Sequence, residues 1–252
     1  MTEPKDPGRV GNPWAATVLL LMGNFMNLVD VSIVNVALPS IKADLNATET
    51  QIEWISAAYV LAFAVALLPC GRFGDKLGRK RLFLSGVALF TLASVLCGLA
   101  PGIGVLIGAR ALQGIGGAMM VPQVMAIMHV IFPPDQKARA FALAGVVVSL
   151  GAVTGPLLGG LLITADLYGL DWRPIFLVNL PVGLLVVLGG MKLIPRLDSA
   201  RGMAIDWPGV ALFALAVTLV VLPMIEGPLL GWPWWSLALL ALALPVAALF
   251  LR

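Results

Sequence analysis

The chain has 252 residues, 60% hydrophobic and only 12% charged, with sixteen Lys and Arg against thirteen Asp and Glu. A soluble domain is about 45–50% apolar and about 25% charged, so this composition falls outside that class and far from a disordered chain. A net charge of +3 with so little polar surface excludes a nucleic-acid binder, and two cysteines cannot staple a secreted disulfide scaffold. What remains is an all-α integral membrane protein, with room for about eight spans at about 20 residues each.

Residues 1–13 form a polar tail of mixed charge without the features of a cleavable signal peptide. Six apolar stretches follow within residues 14–193: Trp14–Leu38, Trp54–Cys70, Leu82–Ala100, Val105–Phe132, Phe141–Thr164 and Pro174–Met191. A short loop over 194–205 leads to two more spans within 206–252, Trp207–Ile225 and Trp234–Leu251. None of the stretches alternates strictly, as a barrel strand must, so all are read as helices. With the N-terminus in the cytoplasm, Lys5, Arg9, Arg72, Lys76, Arg79, Lys80, Arg81, Lys137, Arg139, Lys192, Arg196 and Arg201 all fall inside. Lys42 and Arg173 fall outside, so the bias of basic residues selects this orientation in a cell (inner) membrane, with both termini cytoplasmic.

Polar groups inside hydrocarbon are the next signal, because each is costly there. The first span holds Asn24, Asn27, Asp30, Ser32 and Asn35, whose spacing covers one broad helix face. The asparagines suit hydrogen bonding between helices, whereas Asp30 can carry charge. The fourth span holds Arg110 and Gln113. At about 1.5 Å per residue, Asp30 lies about 24 Å from the start of its span and Arg110 about 7–8 Å from the opposite end of its own. Both sit at one level, which predicts an ion pair or water-bridged pair between them, functional or purely structural.

Gly151, Gly155 and Gly159 recur every four residues beside Pro156 and Gly160, a stripe that lets another helix approach closely. Gly114, Gly116 and Gly117 do the same in the fourth span. Cys70 and Cys97 are read as small packing residues and His129 as an interfacial polar group. The sequence contains no metal-ligand spacing, no nucleophile–base constellation and no phosphate-cradling loop, so an enzyme finds no support.

The segment from Gly71 to Arg81, with Gly71, Asp75, Gly78, Arg79, Lys80 and Arg81 at the matching positions, resembles the cytoplasmic gating-loop signature of the major facilitator superfamily. Its glycines are expected to make a tight turn, with Asp75 against helix N-termini and neighbouring arginines. Leu28–Pro39, containing Asp30, is similar to the first-span motif of that superfamily's fourteen-span drug:proton antiporters. Arg110-Ala-Leu-Gln-Gly-Ile-Gly-Gly117 is similar to their fourth-span motif, whose arginine is linked to proton coupling. Gly151–Gly160 resembles the fifth-span antiporter motif, with Ala142 departing from its leading glycine. Trp172, Arg173 and Asn179 fall in a segment resembling the opening of the sixth span in this branch.

The resemblance covers about residues 14–210. It implies a six-helix N-terminal transporter half plus the two extra helices of this branch, with Asp30, Arg110, Gln113 and Asn27 at the coupling site and cavity. It implies proton-coupled export of drug-like, amphipathic small molecules, with the proton gradient as energy source and no bound cofactor. A complete member is about twice as long, so a second half, a separate chain or a second copy is expected to supply the other wall of the cavity. A non-transporting membrane scaffold, or an inactive truncated transporter, is the competing expectation.

Overall fold

A computed structural model describes residues 12–166, 169–197 and 206–250. They form nine helices and no strand among the described residues: α1 (Pro13–Leu45), α2 (Glu49–Leu77), α3 (Arg79–Gly98), α4 (Ile103–Ile131), α5 (Pro134–Ala165), α6 (Pro174–Leu177), α7 (Asn179–Leu193), α8 (Trp207–Leu229) and α9 (Trp234–Phe250). Seven segments are long and apolar enough to cross a membrane, α6 and α7 counting as one, and α9 is a shorter apolar helix. The 17 residues of α9 reach about 25 Å at 1.5 Å each, somewhat less than a hydrocarbon core of about 30 Å.

Capping groups set the helix ends. The Asn12 side chain accepts from the Trp14 N–H to open α1, and Thr48 forms a reciprocal capping box with Gln51 to open α2. The Thr48 cap lies beyond the apolar run, which is why α2 starts five residues before Trp54, while α5 starts at Pro134 rather than Phe141 with a proline at its first position. Between α2 and α3 only Gly78 makes the turn, with φ of +98°, a left-handed value that disfavours side chains. Gly71 lies within α2 with nothing near its Cβ position, which corrects the expectation that both glycines shape the turn. The sixth span runs through α6 and α7 as one helix, Val178 between them keeping helical angles (φ −59°, ψ −23°) where Pro181 has no N–H for the Leu177 carbonyl.

Helices α1, α3 and α4 supply most of the buried side chains. Around them α5 and α7 pack on α1, α7 on α3, and α2 on α4. The extra helices sit to one side, α8 against α2 and α9 against α8. Two apolar clusters fill the bundle, one around Phe83, Phe90, Met120 and Ile127, the other around Ile33, Ile41, Trp172 and Phe176. The polar residues described next lie among them. Lys5, Arg9, Arg201 and Arg252 fall outside the described residues.

Candidate functional site

Asp30 on α1 is fully buried and Arg110 on α4 is 1% exposed, so each must find its partner within the protein. The Arg110 Nη1 lies 2.6 Å from Asp30 Oδ2 and 2.6 Å from Gln113 Oε1, and its Nε donates to the Ile55 carbonyl of α2 at 3.3 Å. Two amides donate to the other carboxylate oxygen: Gln113 Nε2 at 2.7 Å and Asn179 Nδ2, from α7, at 3.0 Å. Ser94 of α3 accepts from both amides, at 3.2 Å from Gln113 and 2.8 Å from Asn179. With Ser94 of α3 behind the two amides, side chains of α4 and α7 thus converge on the α1 carboxylate. All its hydrogen-bond partners donate, the arrangement that suits an ionised oxygen pair.

On the α2 side the Arg110 guanidinium stacks over the Tyr59 ring, 4.3 Å from its centroid, and the Tyr59 hydroxyl donates to Asn27 Oδ1 at 2.5 Å. Glycines of α4 permit this approach. A Cβ on Gly114 would overlap the Tyr59 carbonyl, and one on Gly117 would stand 2.6 Å from Asn27 Oδ1. Gly116 faces the other way, where a Cβ would stand 2.7 Å from the Phe90 nitrogen of α3. The spacing of the three glycines therefore presses α4 against two neighbours at once, with Arg110 held between them.

The polar residues of α1 do not share one face, contrary to expectation. Asn27 and Asp30 turn inward, Ser32 turns to α5, and Asn35 is exposed. Of the α5 stripe, Gly151, Gly155 and Gly159 are buried against α1, with a Cβ on Gly155 overlapping Ser32 Oγ and standing 2.9 Å from the Val29 carbonyl. Pro156 is exposed, and Gly160 has open space beside it.

At the basic end, Arg79 donates twice to Asp75 Oδ1, at 2.9 and 3.1 Å, and once to the Ala126 carbonyl of α4 at 3.0 Å. Lys80 reaches the Met191 and Ile194 carbonyls where α7 ends, and Arg81 is exposed. A cavity of about 270 Å³ opens here beside Gly71, Asp75, Arg79 and Gln123. At the opposite end Trp172 is buried and its Nε1 donates to Asp44 Oδ2 at 3.0 Å, while Arg173 pairs with the same oxygen at 3.4 Å and stacks on the Trp172 ring. Trp172 and Arg173 therefore stand apart from Asn179, which joins the central network. Among the described residues no group of three His, Cys, Asp or Glu could hold a metal ion.

Sequence reasoning missed Tyr59, Ser94 and Gln123. The first two are polar residues in apolar spans, and the test applied to the first and fourth spans would have marked them in the second and third. Gln123 is buried and donates to the Cys70 carbonyl at 3.0 Å, and Gly74 makes room for it.

The fold and its core define a multi-pass helical membrane protein with a buried, charge-bearing polar centre. The Major Facilitator Superfamily profile matches residues 20–252, and the chain belongs to that superfamily. It is 43% identical over 227 residues to the "Probable actinorhodin transporter" of Streptomyces coelicolor, covering 90% of this chain and 39% of that protein. It is 42% identical over 212 residues to the multidrug resistance protein Stp of Mycobacterium tuberculosis, covering 84% and 39%. The human organic anion transporter MFSD10 shares the fold, with a TM-score of 0.64 at 19% identity over 86% of this chain and 56% of that one. The chain thus spans about two-fifths of the length of these curated relatives.

Proposed function

We propose that this chain forms the N-terminal half of a proton-coupled exporter of drug-like, amphipathic small molecules. The observation that carries this reading is the fully buried carboxylate of Asp30, held by Arg110 and Gln113 of α4 and Asn179 of α7. The kinship with the actinorhodin and multidrug resistance proteins supports export of small organic molecules.

Protonation of Asp30 removes the charge that balances Arg110. The guanidinium keeps Gln113 Oε1 and the Ile55 carbonyl but loses its anionic partner, which favours a rearrangement of α4 against α1 and α2. An always-charged arginine makes that step all-or-none, since it cannot relax by losing its own proton. A buried carboxylate and a fixed cation on different helices are therefore a means of coupling proton uptake to helix motion. The substrate cavity needs a second wall, from a C-terminal half, a separate chain or a second copy. The loop around Asp75 lies on the cytoplasmic side of a cell membrane in this reading.

The test is substrate-driven proton flux in proteoliposomes carrying the chain, with a pH dye inside and an aromatic cationic dye such as ethidium added outside. Flux in the wild-type chain that Asp30→Asn abolishes is the expected outcome. Flux that survives Asp30→Asn removes Asp30 from coupling, and a bundle that gives no flux either alone or with a second half supplied is a scaffold.

A further inference from the structure

Asp30, Arg110 and Gln113 hold one another by three bonds of 2.6–2.7 Å. Gln113 has no choice of orientation. Arg110 can only donate, so Gln113 must present Oε1 to it and Nε2 to Asp30. Asn179 is held differently. Its contact with Asp30 is longer, 3.0 Å, and its remaining polar contact is with Ser94 Oγ at 2.8 Å.

Ser94 is fully buried and its hydroxyl carries one hydrogen, which it donates to the Phe176 carbonyl at 2.9 Å. With that hydrogen committed to α6, the oxygen has only acceptor capacity left for the two amides. It thereby selects the Asn179 rotamer that turns the NH₂ edge toward α1. Phe176 and Asn179 flank the junction of α6 and α7 at Val178. One hydroxyl on α3 thus grips the sixth span at two points three residues apart. The titratable groups that face the site from the packed helices are Arg110 of α4, Tyr59 of α2 and Cys97 of α3, whose Sγ lies 3.7 Å from Gln113 Oε1.

We infer that Ser94 is a positioning residue of the carboxylate site: it orients the Asn179 amide as the third donor to Asp30 and fixes it to the Phe176 carbonyl. Gln113, pinned from two sides already, depends on Ser94 far less. The effect on proton coupling rests on the exporter reading, whereas the geometric effect does not.

The test uses the full chain in lipid nanodiscs with ¹⁵N in the side-chain amides of Asn and Gln, the Asn179 and Gln113 resonances being assigned by their loss in Asn179→Leu and Gln113→Leu. In Ser94→Ala the Asn179 resonance moves and broadens while that of Gln113 changes little, and Ser94→Thr restores the wild-type position. Ser94→Cys, close in volume but a weak hydrogen-bonding group, gives an intermediate shift and serves if the threonine is not accommodated. An Asn179 resonance unmoved in Ser94→Ala overturns the inference. So does equal disturbance in Ser94→Ala and Ser94→Cys, which would mark a packing effect. In proteoliposomes, substrate-driven proton flux falls about tenfold in Ser94→Ala, the equivalent of one hydrogen bond to a charged group. Absence of flux both from the wild-type chain and from the chain with a second half supplied defeats the exporter reading alone and leaves the amide resonances to decide the role of Ser94.

Discussion

At the scale of single residues, the Asp30–Arg110 pair is a case in which removing one member differs sharply from removing both. Each is buried beyond the reach of water, and each satisfies the other. Arg110→Ala strands the carboxylate with two amide donors and no cation, a loss of about 3–5 kcal/mol for breaking a buried pair. Replacing both, as Asp30→Asn with Arg110→Gln, removes both charges and recovers much of that loss. Thermal unfolding of the two variants in one detergent should rank the single variant below the double, and the opposite order would show that the charges do not stabilise one another. The pair itself was legible in the sequence, because ionisable residues in apolar spans are few and helix rise places these two at one depth. Of its neutral partners, Gln113 and Asn179 were named from the sequence as well, but Ser94 and Tyr59 were not. A serine or tyrosine occurs in many spans, and only the crossing of α3 and α2 over this point brings these two to it.

For whole helices, what matters is which faces touch. The Gly151, Gly155 and Gly159 stripe was legible from its four-residue repeat, and the structure turns it against α1. Gly160 was indistinguishable from them by residue type, but it lies off the stripe and meets only open space. Gly155→Ala should therefore separate α5 from α1, since the new methyl overlaps Ser32 Oγ and presses on the Val29 backbone, which cannot yield as a flexible side chain would. The expected loss is about 1–3 kcal/mol, in the range of an overpacked core. Gly160→Ala is the matched control and should unfold at or above the wild-type temperature, because alanine is about 1 kcal/mol better than glycine in a helix. Equal effects of the two substitutions, read as shifts in melting temperature, would show that the α1–α5 contact does not depend on close approach. Helix ends were the least legible feature. Apolar runs report where hydrocarbon begins, whereas caps such as Thr48 end the helix farther out. The boundary at Val178 does have a sequence mark, Pro181, which has no N–H to give the Leu177 carbonyl four residues back.

Across the whole molecule, charge and packing act together at one end of the bundle. Arg79 ties the α2–α3 turn to α4, Lys80 ties it to the end of α7, and Arg139 at the start of α5 lies over Trp14 of α1. The basic residues that set orientation are thus also the groups that fasten helix ends to one another. The opposite end is held by fewer charges, chiefly Asp44 with Arg173 and Lys42 with Glu49. The position of α8 on α2, with Trp54 Nε1 donating to Glu226 Oε1 at 2.8 Å, was not legible, because α8 is apolar apart from Thr218 and Glu226 and carries no periodicity to choose a neighbour. Orientation can be tested directly. Cys70 and Cys97 are buried, so a new cysteine at an exposed site should be the main target of a membrane-impermeant thiol reagent. Arg81 and Asn46 are both exposed and stand at opposite ends. With twelve basic residues on the cytoplasmic side against two outside, intact cells should label Asn46→Cys and not Arg81→Cys, and membrane permeabilisation should expose the second. Labelling in the reverse order would invert the bundle and move the Asp75 loop to the outer face, where a cytoplasmic gate cannot operate.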